Sequence, residues 1–319
     1  MLLSLLDRSR TRTGRSDADA LQATLRRARR AEQLGLHRFW VAEHHAVPGV
    51  VGSAPTVLMA SVAAVTSRIR VGTAGVMLPN HTPFVVAEQI ATLAALHPGR
   101  IDVGVGRSVG FTAPVRRALG VSSADGFEDR LAELLDWLHG RGPVTLRPLV
   151  PPPPVWLLAT GGGLEIAARA GLPVVVAGPV LTDPEPLHRY RAASPPGRAR
   201  VTLSVDVLVA DSVAAARREL LPQAVALART RSRGEFGALP SPEEAAAAQL
   251  SARERADVER NLASTVHGDE AEVLDRLQDL VQRTGAVELM TSTTLHDEAA
   301  EAEADTRLAR LLARLRTGG

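Results

Sequence analysis

Four short segments of this 319-residue sequence carry side chains able to do chemistry. In Glu43-His44-His45 a carboxylate stands beside two imidazoles. An imidazole with an ordinary pKa near 6.5 suits proton transfer at neutral pH. The same triplet could also bind a metal or simply cap a strand end. Neighbouring strand residues point to opposite faces, so His44 and His45 should not both enter one site. The sequence also has no His-x-His pair of the kind a barrel metallohydrolase needs. Both points favour a catalytic imidazole. The second segment, Gly104-Val105-Gly106-Arg107-Ser108, puts an arginine directly after a glycine. Its guanidinium fork fits a phosphate, although a carboxylate partner is the commoner use. The third, Thr160-Gly161-Gly162-Gly163, leads into a helix, where free N–H groups and the helix dipole favour an anion. The alternative there is a tight turn with no ligand. The fourth is Gly72-Thr73-Ala74-Gly75-Val76. Gly104-x-Gly106-x-x-x-Gly110 also invites a dinucleotide-binding reading. Its spacing misses the six-residue form, and Asp125 and Asp129 fall inside a helical pattern rather than at a strand end.

These segments sit where apolar runs end. Runs of strand length occur at residues 2–6, 38–42, 69–78, 101–106, 155–159, 173–177, 201–210 and 287–291. Helical patterns alternate with them at 17–34, 54–66, 84–96, 125–139, 164–170, 184–193, 212–230, 268–284 and 298–316. Eight buried strands separated by helices predict an α/β fold, a closed (β/α)8 TIM barrel, over an open doubly wound sheet. In such a barrel the site lies at the C-terminal strand ends. Residues 107–124 read as a loop without strong periodicity. Residues 231–267 read as a partly helical surface insertion over one end of the barrel. The whole chain, 1–319, is expected to form one barrel domain.

Composition narrows the chemistry. All 37 basic residues are arginine, against 35 acidic ones, giving a formal charge of +2. The isoelectric point of 10.1 therefore reflects the absence of groups that titrate at alkaline pH. It does not indicate a clustered basic face, so no nucleic-acid or membrane partner is expected. With no cysteine, disulfides, thiolate metal sites and a thiol nucleophile are excluded. With no lysine, a Schiff base is excluded as well. No apolar run reads as a signal or membrane segment, and a cytoplasmic protein is expected. Redox chemistry here would have to come from a cofactor.

The stretches Phe39-Trp40-Val41-Ala42-Glu43-His44-His45, Ile69-Arg70-Val71-Gly72-Thr73-Ala74-Gly75-Val76-Met77-Leu78-Pro79, Ala87-Glu88-Gln89 and Pro98-Gly99-Arg100-Ile101-Asp102-Val103-Gly104-Val105-Gly106-Arg107 form a nearly continuous pattern to about residue 110. On them the sequence resembles the bacterial-luciferase-like flavin-dependent monooxygenases, most clearly the single-chain FMN-type branch. A looser likeness covers 156–177 and Val287-Glu288-Leu289-Met290. The strand-five turn departs from the family in carrying glycines where relatives often have serines or an acid. The loop after Arg107 and the 231–267 segment do not follow the family pattern either.

The resemblance implies a barrel that binds FMN, as FMNH2, at the C-terminal strand ends. His44 falls on the catalytic histidine beside the flavin C4a position. Arg107 falls on the arginine that binds the flavin phosphate. Thr160 and the amides of Gly161 and Gly163 fall on the other half of that phosphate site. Ala74-Gly75 falls on a non-prolyl cis peptide against the isoalloxazine ring. The implied activity is a two-component monooxygenase. A separate NAD(P)H:flavin reductase would supply the reduced flavin, and O2 would be the co-substrate through a C4a-hydroperoxide. The expected substrate is an apolar organic molecule to be hydroxylated, epoxidised or Baeyer–Villiger oxidised, in the manner of tailoring enzymes of natural-product (antibiotic or polyketide) biosynthesis. The rival readings are a deazaflavin-dependent dehydrogenase or reductase on the same barrel, and a non-catalytic flavin-binding protein. Small apolar faces on the 54–66 and 84–96 helices point to a homodimer formed through them.

Overall fold

The computed structural model describes residues 1–234 and 236–317. Its strands are β1 (Leu2–Asp7), β2 (Arg38–Val41), β3 (Arg70–Thr73), β4 (Val76–Met77), β5 (Ile101–Gly106), β6 (Val155–Leu158), β7 (Val174–Val176), β8 (Val201–Ser204), β9 (Val207–Val209), β10 (Val266–Gly268) and β11 (Glu288–Thr291). The helices are α1 (Asp17–Gln33), α2 (Pro55–Ala64), α3 (Pro83–Leu96), α4 (Ala113–Ala118), α5 (Phe127–Leu138), α6 (Gly163–Ala170), α7 (Glu185–Ala193), α8 (Val213–Arg233), α9 (Pro242–Ala246), α10 (Ala252–Ser264), α11 (Glu270–Thr284) and α12 (Glu298–Thr317).

The sheet runs β3-β2-β1-β11-β8-β7-β6-β5-β4, and a β3–β5 pairing closes it into the expected parallel (β/α)8 barrel. β3 and β4 are one stave, interrupted at the cis peptide between Ala74 and Gly75. Across that interruption Thr73 replaces the strand ladder. Its hydroxyl donates to the Gly104 carbonyl at 2.7 Å and accepts from the Gly104 N–H at 3.0 Å. The two staves approach so closely that a Cβ on Gly104 would lie 2.0 Å from the Thr73 carbonyl oxygen. Only glycine fits there.

Other expected elements differ as well. Residues 201–210 do not form one strand: β8 stays in the barrel, and β9 leaves it to pair in parallel with β10. The chain turns at Asp206, whose carboxylate accepts from Ser292 Oγ at 2.5 Å and from Gln223 Nε2 at 2.8 Å. The Thr293 hydroxyl then meets both backbone groups of Val207, at 2.8 and 2.9 Å. Residues 266–268 are accordingly strand, and α11 starts only at Glu270, with Asp269 accepting from the Ala271 and Glu272 N–H groups. The 107–124 loop also contains a short helix, α4, capped by Thr112.

The 231–267 region continues α8 and adds α9 and α10. Residues 236–239 lie across the C-terminal end of the barrel. Gly49 N–H donates to the Phe236 carbonyl at 2.6 Å, and Leu239 exchanges backbone bonds with Thr11 and Thr13. A Cβ on Gly49 would fall 2.1 Å from the Gly237 carbonyl oxygen, so glycine permits this contact.

Inside the barrel, near the strand N-termini, lies a charge network. Arg38 donates to Asp102 at 2.6 Å and to both oxygens of Glu288 at 2.9 and 2.7 Å. Arg70 forks onto Asp102 at 2.7 and 2.6 Å, and Ser4 donates to Glu288. The Arg38 guanidinium is enclosed between the rings of Trp40 and Trp156, 4.7 and 4.4 Å from their centres. Five staves are thus tied by one cluster. Removing one partner of a buried pair leaves an uncompensated charge and costs about 3–5 kcal/mol. Asp102→Asn should therefore lower unfolding free energy by about that amount in urea titration. A loss below about 1 kcal/mol would show that the network contributes little to the fold.

Candidate functional site

Every barrel stave sends residues to the C-terminal mouth: Arg8 after β1, Ala42 to His44 after β2, Ala74 after β3, Arg107 after β5, Thr160 after β6, Ala177 after β7, Ser204 ending β8 and Ser292 after β11. A cavity of about 610 Å³ opens among them. His44, Ala74, Arg107, Thr160 and Gly163 all line it. Gly75 and Gly161 are not on its wall. Gly75 follows Ala74 through the cis peptide, and Gly161 makes the left-handed turn (φ 53°) that carries the chain from Thr160 into α6. Leu6, Ala42, Val175 and Met290 give the cavity an apolar floor.

The two halves of the expected phosphate site face the same space. Arg107 is exposed and has no hydrogen bond or ion pair among the described residues. At the start of α6, the Gly163 N–H donates to the Thr160 carbonyl at 3.1 Å, which closes the turn. Gly163 itself lines the cavity. The Gly161 and Gly162 N–H groups and the Thr160 hydroxyl meet no acceptor among the described residues. The donors present are therefore a free cation, a hydroxyl and two amides, a set that fits a phosphate.

His44 is half-buried, with its backbone N–H donating to Gly52 at 2.9 Å and its ring stacked on Phe111, centres 6.5 Å apart. Its Nδ1 is buried without a partner. Burial, and then the positive charge of Arg8, push the imidazole down to about 4. The sequence suggested an ordinary pKa. In the structure His44 is neutral at pH 7, and it offers one accepting and one donating nitrogen to a ligand.

His45 is not on the cavity wall; β2 ends at Val41, so the path of the loop after it, and not strand alternation, separates the two imidazoles. His45 Nε2 and His81 Nε2 both donate to Glu43 Oε1, at 2.6 and 2.8 Å, and the Met77 N–H donates to Oε2 at 2.8 Å. Burial alone would raise the Glu43 carboxyl, but the His81 hydrogen bond and charge and the Met77 N–H outweigh it and hold it below the usual range. Glu43 therefore organises the loop that presents His44 and does not face the cavity. His81 lies 38 residues from Glu43 and carried no local signal of this role. Arg8 and Phe111 were missed as well. The alternating arginines at 8, 10 and 12 were the available cue for Arg8.

Comparison with known proteins finds relatives that share this fold. A family described as luciferase-like monooxygenase matches residues 1–288. A luciferase-like monooxygenase of Escherichia coli (strain K12) is 36% identical over 314 residues, covering 93% of this chain and 92% of that protein. The crystal structure of apo-MsnO8 superposes with a TM-score of 0.86 at 34% identity, covering 98% of both chains. The oxygenating constituent of the 3,6-diketocamphane monooxygenase from Pseudomonas putida, solved in complex with FMN, has a TM-score of 0.74 at 18% identity and 97% coverage of both chains.

The charges around His44 predict its titration. By NMR its imidazole should titrate near 4. Arg8→Gln, which removes a neighbouring cation, should move that titration up, and Glu43→Gln, which removes an anion, should move it further down. A midpoint near the ordinary 6.5 in the wild type would contradict this account of the site.

Proposed function

The chain belongs to the luciferase-like monooxygenase family, and from that premise we propose that it is the oxygenating component of a two-component flavin monooxygenase. It uses reduced FMN from a separate NAD(P)H:flavin reductase, and O2, to oxygenate a small organic molecule. The observation that carries this reading is the convergence of an unpaired arginine, a hydroxyl with free amides and a neutral histidine on one cavity. The FMN-containing structural relative supports it.

In this reading Arg107 and the Thr160 hydroxyl, with the neighbouring Gly161 amide, would hold the flavin phosphate, and Ala74, joined to Gly75 by the cis peptide, lines the space left for the ring. Bound there, reduced FMN would supply the electrons that activate O2. Leu6, Ala42, Val175 and Met290 keep water from the reacting centre. His44, which lines the cavity, holds or accepts a proton through its imidazole ring. A tailoring role in natural-product biosynthesis and a cytoplasmic location belong to the same reading. No helix among the described residues is long and apolar enough to cross a membrane. We also propose a homodimer through α2 and α3, whose Val57 and Val85 are 65% and 45% exposed.

Anaerobic calorimetry tests the phosphate site. Arg107→Ala should weaken reduced FMN at least tenfold, the worth of a charge-assisted contact, and leave riboflavin affinity unaltered. Equal losses for both flavins, or tighter binding of a deazaflavin cofactor than of FMN by the wild type, would count against the proposal. In a coupled assay with NADH, a flavin reductase and a panel of aldehydes, ketones and thioethers, His44→Ala should cut oxygenation of whichever compound the wild type accepts by about a hundredfold or more. Unchanged turnover would remove His44 from the mechanism. Light scattering should give twice the 33.8 kDa chain mass. A monomer at micromolar concentration would refute the dimer.

A further inference from the structure

The chain leaving β1 reads Arg8-Ser9-Arg10-Thr11-Arg12, and its three arginines meet different fates. Arg12 is compensated: it donates to Glu301 at 3.1 Å and to the Leu295 carbonyl at 3.0 Å. Arg10 is only 7% exposed, yet its Nε and Nη2 atoms have no hydrogen-bond partner among the described residues. The face of its guanidinium rests on Phe236, 4.3 Å from the ring centre, which leaves the in-plane donors free. Arg8 is half-buried and has no hydrogen bond or ion pair among the described residues.

Both arginines line a second cavity, of about 290 Å³, which shares Arg8 and His44 with the larger one. Val47, Phe111, Leu227 and Phe236 give it apolar walls. The one acid among its described lining residues is Asp206, and that carboxylate is taken up by Ser292 and Gln223. It lies within ion-pair distance of neither arginine. Burial and the charges of Arg8 and Arg12 lower the Arg10 guanidinium to about 9, so it remains a cation at neutral pH. Hiding a cation from water without a partner is costly unless an anion completes the site.

We propose that Arg10 and Arg8 form an anion subsite that anchors a carboxylate of the substrate, whose apolar body extends past His44 into the larger cavity. The substrate class is then an organic acid with an apolar body rather than a wholly apolar molecule. This rests on the flavin reading above, because it treats the larger cavity as the cofactor's. The flavin phosphate is the other anion within reach of Arg8, and the test separates the two.

The full-length protein loaded with FMN is titrated calorimetrically with hexanoate and with hexanamide, its uncharged isostere. The wild type should bind hexanoate at least tenfold more tightly. Arg10→Gln and Arg8→Gln should each remove that preference, and Arg10→Lys should restore part of it. The half-exposed Arg8 gives a readable variant even if Arg10→Gln folds poorly. The ratio of FMN to riboflavin affinity should be unchanged in Arg10→Gln and collapse in Arg107→Ala. Absence of a carboxylate preference in the wild type, through equal binding or none, overturns the proposal. So does a collapse of the FMN-to-riboflavin ratio in Arg10→Gln, which would place the cofactor phosphate on these arginines. If the wild type binds FMN and riboflavin equally but prefers hexanoate, the flavin reading fails and the anion subsite stands.

Discussion

Arginine is the only basic side chain in this protein besides histidine, and a guanidinium keeps its proton even when buried. Each buried positive charge is therefore permanent and needs a negative partner. Much of the fold follows from that constraint. Arg38 and Arg70 meet Asp102 and Glu288 within the barrel, joining β1, β2, β3, β5 and β11 through side chains as well as through backbone bonds. Arg27, fully enclosed, forks onto Asp305 and donates to the Thr293 carbonyl. With Arg12 on Glu301, it fastens the first helix to the last. The acidic character of α12 is thus the counter-charge for arginines near the N-terminus.

The same constraint marks the functional end. Arg107, Arg8 and Arg10 form no ion pair among the described residues, Asp206 being taken up by Ser292 and Gln223, and all three line cavities at the strand C-termini. Two of these positions carry distinct proposed roles: the exposed Arg107 for the cofactor phosphate, and the buried Arg10, assisted by Arg8, for the substrate. His44 lies between the two regions. Its depressed basicity comes from burial and from Arg8, so an anion near Arg8 would make it a better base. The proposed cofactor site, His44 and the proposed substrate anchor thus share one electrostatic field.

The barrel was legible in the sequence because each stave is an apolar run of strand length and segments of helical length separate them. His44, Arg107 and Thr160 stood out by their types and their positions after strands, and the structure sets all three on one cavity. The break after β8 was not legible. Residues 207–209 are as apolar as the strand before them, and the turn at Asp206 is enforced by Ser292, 86 residues away. The difference between Arg10 and Arg12 was hidden for the same reason. Identical residues at alternate positions diverge only because Glu301 reaches one and not the other. Local pattern locates elements, whereas charge matching depends on long-range partners.

The central claim is that the unmatched arginines divide two anions between two cavities. A crystal structure of the anaerobic complex with reduced FMN tests it most directly. The account predicts the phosphate on Arg107 and Thr160, the ring along Ala74 and Gly75 close to His44, and the Arg8–Arg10 cavity still open. A phosphate held by Arg8 and Arg10, or a flavin seated in the neighbouring cavity of about 800 Å³ beside Asp275 and Asp279, would contradict it.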